Sequence, residues 1–170
     1  MPAMVPPLKH RSLNDFATLS AQDIDAVLSC ARELQRAARA GAAPRALRGK
    51  NFGLLCDADD DGDAALFERA ASAQGAQVAR VHASLSERSS PQEVLHTARL
   101  LGRLYDAVDC VGMAPDLVRR IGAEAGVPVF ERIASPRHPT AALAAQLEGD
   151  ASDDAKRCLV IQAVLLSALG

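Results

Sequence analysis

The sequence predicts an α/β fold of three layers, with about four parallel strands flanked by helices. Three observations carry this expectation. Short apolar runs alternate with spans whose apolar residues recur at helical spacing. Glycine and proline punctuate the boundaries between them. Several of the helical spans also open on recognisable capping residues. The 170 residues suit one unit with an adequate core. With aromatics at 3% and no tryptophan, that core must be built mainly from Ala, Leu and Val.

Residues 1–8 are proline-rich and read as a flexible arm. The first helix has Ser20 as cap, Asp23 at its third position, and Ile24, Val27, Leu28, Ala31 and Leu34 along one face. Gly41 and Pro44 end it. Asn51 to Cys56 reads as a buried strand, Asp63 to Gln74 as a helix closed by Gly75, and Gln77 to His82 as a second strand. Ser90-Pro91-Gln92-Glu93 combines a cap, a proline at the first helical position and a capping-box glutamate. The helix it opens carries Val94, Ala98, Leu101 and Tyr105 on one face. Ala107 to Val111 is a third strand, Pro115 to Ala125 a crossover helix, and Val127 to Phe130 a fourth strand. A helix from Thr140 to Leu147 leads to a small polar link at 148–152, and a strongly apolar helix occupies 153–169. Short apolar strands alternating with helices argue a parallel sheet with right-handed crossovers, and ligands of such sheets bind at the carboxyl ends of the strands.

Bulk properties exclude several function classes. A net charge of −2 leaves no footprint for nucleic acid or anionic lipid. The most apolar stretch, Cys158 to Leu169, contains Gln162 and is too short to span a bilayer. The amino terminus does not read as a signal peptide, so a soluble cytoplasmic protein is expected. The four cysteines, Cys30, Cys56, Cys110 and Cys158, form no CxxC pair and read as buried free thiols. Asp106 and Asp109 read as strand-edge residues rather than an acid–base pair.

The most unusual stretch is LLCDADDDGDAALFE, Leu54 to Glu68. A strand entering a helix normally offers free N–H groups and a dipole to an anion. Here that position holds Asp57, Asp59, Asp60, Asp61 and Asp63 around Gly62. Asp57, Asp59, Asp61, Gly62 and Glu68 fit the calcium-loop spacing, and clustered hard carboxylates suit calcium or magnesium. Against this, the loop follows a strand rather than a helix, and Ala64 stands where a large aliphatic is usual. A solvated acidic loop that needs no cofactor is the plainer alternative.

The order of segments resembles the ornithine carbamoyltransferases and the related aspartate enzymes. Leu47-Arg48-Gly49-Lys50-Asn51 is similar to that family's entry into its first strand, and Thr97 to Ala107, TARLLGRLYDA, to its second crossover helix. His138-Pro139-Thr140-Ala141-Ala142-Leu143-Ala144 resembles the motif His-Pro-x-Gln-Ala-Leu-Ala. Lys156-Arg157 and the sequence from Ile161 to Leu165 resemble the last helix of the full-length enzymes. The resemblance implies a carbamoyl-phosphate-binding domain followed by that returning helix, with residues 148–152 replacing the amino-acid-binding domain. It also implies assembly into trimers.

The departures fall on the ligand contacts. The family's phosphate loop, Ser-Thr-Arg-Thr-Arg, aligns with Asp60-Asp61-Gly62-Asp63-Ala64, so both arginines are gone. The arginine that follows the third strand falls on Val111, and the glutamine of the His-Pro motif on Ala141. The lysine before the second crossover helix has no counterpart at 89–93. His138 alone carries over, as a family remnant with no partner base or nucleophile in view.

Two unit charges about 4 Å apart interact by roughly 1 kcal/mol in water and several times that near a protein surface. Carboxylates facing a phosphate dianion therefore oppose its binding. The resulting expectation is a degenerate, non-catalytic homologue of ornithine carbamoyltransferase, a pseudoenzyme acting in binding or assembly as a homo-oligomer or with a protein partner. Its alternatives are residual carbamoyl-phosphate binding with transferase activity, and a divalent-cation module built on residues 57–68. Asp60, Asp61, Gly62, Asp63 and His138 are the candidate ligand-binding residues; Asp57, Asp59, Asp61 and Glu68 are the candidate metal ligands.

Overall fold

In the computed structural model, residues 20–56 and 62–169 are described. Strand β1 (Asn51–Cys56) lies inside a four-stranded sheet of order β2-β1-β3-β4, with β2 at Gln77–Val81, β3 at Ala107–Val111 and β4 at Val129–Glu131. Every pairing is parallel, with Phe52 opposite Val78 on one side and opposite Ala107 on the other. The chain leaves β1 for β2 on one side and returns to β3 on the other, so the crevice between the carboxyl ends of β1 and β3 is the switch point where such sheets bind ligands.

Alternation along the strands assigns the two faces. Phe52, Leu54 and Cys56 pack with helices α1 (Ala21–Arg39), α2 (Gly62–Ala73), α5 (Thr140–Ala144) and α6 (Asp153–Leu169). Leu55, Val108 and Cys110 pack with α3 (Pro91–Leu104) and α4 (Pro115–Ala125). The result is the three-layer architecture expected from the sequence. Aromatic content is low, but three phenylalanines, Phe52, Phe67 and Phe130, are fully buried on the first face. The rings of Phe52 and Phe67 lie 6.1 Å apart and tilted by 47°.

The cap signals are realised in full. Ser20 Oγ accepts from the Asp23 N–H while the Asp23 carboxylate accepts from the Ser20 N–H, and Ser90 and Glu93 repeat the arrangement at α3. Each such cap stabilises its helix by about 1 kcal/mol. Helix α6 packs on α1, α2 and α5. One polar pair is buried in that packing: Gln74 Nε2 donates to Gln162 Oε1 at 2.7 Å. No helix among the described residues is long and apolar enough to cross a membrane.

Several sequence expectations need correction. β4 occupies 129–131 rather than 127–130, because Pro128 has no N–H and joins the sheet only through its carbonyl, which accepts from Val108. α5 stops at Ala144 rather than 147, its continuation tightening into the bonds Gln146 N–H to Leu143 O and Leu147 N–H to Ala144 O. Asp109 lies on an interior strand and is 1% exposed, not at an edge. Cys56 and Cys110 are buried free thiols, whereas Cys30 and Cys158 are only half-buried on α1 and α6. Burial pushes the Cys110 thiol far above the usual range, with the Asp109 and Glu131 carboxylates adding to the effect.

Candidate functional site

Asp57, Asp59, Asp60 and Asp61 lie outside the described residues. Gly62, immediately after them, opens α2, and Asp63 stands in its first turn. The Asp63 carboxylate accepts from the Arg132 guanidinium at 3.2 Å. This pair joins the start of α2 to the segment that leaves β4, across the carboxyl edge of the sheet.

Arg132 is held for the purpose in an unusual backbone. Its φ is 46°, the left-handed region that costs a non-glycine residue about 1–2 kcal/mol. Two bonds over-determine the turn. The Arg132 N–H donates to the Cys110 carbonyl at 3.0 Å, extending the β3–β4 ladder by one rung. The next N–H, from Ile133, donates to the buried Asp109 carboxylate at 3.2 Å. Asp109 thus braces the loop from beneath.

The same loop carries His138. Its Nδ1 accepts from the Thr140 N–H at 3.2 Å and lies 2.8 Å from Thr140 Oγ1. An Nδ1 that accepts an amide proton carries none of its own, so the neutral ring bears its proton on Nε2. Burial lowers its pKa from 6.5 to about 4, so the ring is uncharged at neutral pH. Thr140 Oγ1 also lies 3.3 Å from the Ile133 carbonyl, and the Arg157 guanidinium of α6 donates to the Ala134 carbonyl. Helix α6 therefore anchors the loop that holds His138.

The remaining candidates sit apart from this cluster. Glu68 lies one turn and more into α2 and is engaged by Arg80 of β2, at 2.6 Å from Nε and 3.2 Å from Nη2. A cation drawn to the acidic stretch would have to displace that arginine to use Glu68. Val111 is buried at the end of β3, and Ala141 stands half-buried in the first turn of α5; neither offers a polar atom on its side chain. Chemically, the described edge offers a neutral imidazole, a carboxylate, the Arg132 guanidinium paired to that carboxylate, and the exposed Arg137 beside His138. Sequence reasoning missed Arg132 and Asp109. The available signal was an isolated arginine directly after a strand, at the same sheet edge as the aspartates.

Comparison with known proteins places this arrangement. The family model for the aspartate/ornithine carbamoyltransferase carbamoyl-P binding domain matches residues 11–148. An ornithine carbamoyltransferase of Actinobacillus pleuropneumoniae is 35% identical over 137 residues, which are 81% of this chain and 41% of that protein. A catabolic ornithine carbamoyltransferase of Haemophilus influenzae is 34% identical over the same length. Among solved structures, the ornithine carbamoyltransferase of Pyrococcus furiosus superposes with a TM-score of 0.64 at 26% identity, covering 79% of this chain and 42% of that one. A putative aspartate carbamoyltransferase from Trypanosoma cruzi, at 23% identity and a TM-score of 0.65, shares the fold. The chain spans about 41% of the length of the curated relatives it matches. Sequence and architecture agree: the chain belongs to the aspartate/ornithine carbamoyltransferase family, through its carbamoyl-phosphate-binding domain.

Proposed function

We propose that this chain is a non-catalytic member of the family, retained for binding or assembly rather than for carbamoyl transfer. The observation that carries the reading is the Asp63–Arg132 ion pair. At the start of α2, where an incoming phosphate would need donors, the chain supplies its own carboxylate to the nearby guanidinium. A phosphate dianion would have to break that pair and then lie against Asp63. A helix dipole, worth about 0.3–1 kcal/mol to an anion at an exposed end, does not offset such repulsion. Catalysis would further require donors aimed at the developing negative charge. His138 Nε2–H is one such donor; Gly62, Ala64, Val111 and Ala141 supply none from their side chains.

In this reading residues 148–152 stand in place of the amino-acid-binding domain of full-length relatives, and the protein works in the cytoplasm as a homo-oligomer. The test is a transfer assay with the purified protein, carbamoyl phosphate and either ornithine or aspartate, monitoring release of phosphate above the spontaneous rate. No enzyme-dependent release is expected. Turnover that disappears in His138→Ala would establish the competing reading, a residual carbamoyltransferase.

A further inference from the structure

Among the charged stretches of the described surface, two of opposite sign lie on opposite sides of the sheet. The first is on α3. Its outward stripe reads His96, Arg99, Leu100, Arg103, Leu104 at spacings of three and four. Leu100 is 48% and Leu104 56% exposed, and they are the large hydrophobic side chains left in solvent among the described residues. Four of these residues, with Gln92 and Leu95, line a shallow groove of about 310 Å³ that contains no carboxylate. Neither Arg99 nor Arg103 has an ion-pair partner among the described residues. Like charges one turn apart destabilise a helix, so this stripe works against the element that carries it.

The second concentration is the link between α5 and the start of α6. Glu148, Asp150, Asp153 and Asp154 are all exposed within seven residues. Among the described residues, only Asp154 of the four has a cationic partner, Arg157 at 3.6 Å. The link is not free to wander. The Gln35 side chain donates to the Glu148 carbonyl at 2.9 Å, pinning it to α1. Because α1, α5 and α6 lie on one face of the sheet and α3 on the other, the two charged surfaces of one chain cannot meet.

We propose that they meet between copies: the Arg99–Arg103 face of α3 receives the acidic link, Glu148 to Asp154, of a second molecule. Arginine Nη groups donate to the incoming carboxylates, and the link's backbone covers Leu100 and Leu104. Two α3 helices facing each other would set arginine against arginine, so the contact is head to tail. A head-to-tail contact closes into a ring where the rotation allows and otherwise propagates. The inference rests on the homo-oligomer reading above and names the surfaces that would carry it.

Light scattering coupled to size exclusion decides between these cases. Wild type is expected as an assembly whose mass falls towards the monomer at high salt, since exposed pairs are screened. Arg99→Glu with Arg103→Glu, and separately Glu148→Lys with Asp150→Lys, are each expected to be monomeric, and mixing the two is expected to restore the larger species. Far-ultraviolet circular dichroism checks that both are folded; if the first is not, Arg99→Gln with Arg103→Gln takes its place. A wild-type assembly that both reversals leave intact overturns this interface while the homo-oligomer reading stands. A wild type that is monomeric at every concentration overturns both.

Discussion

Asp63, Arg132 and His138 define the chemistry at the carboxyl edge, and each answers to a separate measurement. His138 titrates at about 4 when folded against 6.5 when unfolded, because burial disfavours the imidazolium. Between those values the unfolded chain binds more protons, so stability is full above pH 6.5 and is lost as the pH falls towards 4. Denaturant midpoints of wild type and His138→Asn should therefore converge as the pH is lowered through that window. Parallel curves would place the imidazole in solvent. Arg132→Gly removes an ion pair worth about 0–1 kcal/mol, because the Arg132 side chain is 43% exposed. The same change relieves a left-handed residue by about 1–2 kcal/mol. Urea denaturation should show stability unchanged or slightly raised. A loss above about 2 kcal/mol would mean that the guanidinium itself holds the loop. The sequence announced His138 through its motif and Asp63 through its charge. It did not announce Arg132, whose relation to Asp63 depends on a strand order that places β4 beyond β3 on the side of β1 away from β2.

At the scale of elements, the contacts that hold the layers together are small and specific. A Cβ on Gly102 would lie 1.8 Å from the Ala125 carbonyl oxygen, so α3 reaches the end of α4 only because that position is glycine. Gly102→Ala, which favours the helix by propensity, should instead destabilise by about 1–3 kcal/mol through overpacking. A gain in thermal stability would contradict the close approach. On the other face of the sheet, Gln162→Leu leaves the buried Gln74 amide without its 2.7 Å partner and should destabilise by about 1–3 kcal/mol. The doubly changed Gln74→Leu, Gln162→Leu protein should recover part of that loss. Helices α1 and α3 were legible from periodicity and caps, and α6 from its apolar run, all of which are local. β4 and α5 were not, because their limits depend on where a neighbouring strand offers a partner and where the chain must turn to reach α6. The exposed leucines, Leu100 and Leu104, are on α3, whereas α6 folds back to cover α1, α2 and α5.

For the whole molecule, a family fold is preserved, and the proposal is that its anion-binding chemistry is replaced. The 138 residues matched to the family, 11 to 148, include every strand among the described residues, so architecture follows from membership. Activity does not, because it resides in a few side chains on that scaffold. The central claim is that this edge no longer accepts carbamoyl phosphate, and isothermal titration of the wild-type protein with carbamoyl phosphate addresses it most directly. No saturable heat is expected, with Asp63 already bound to Arg132 and aspartates in place of the phosphate loop. Saturable binding that is lost in His138→Ala would contradict the claim and return the chain to the working carbamoyltransferases.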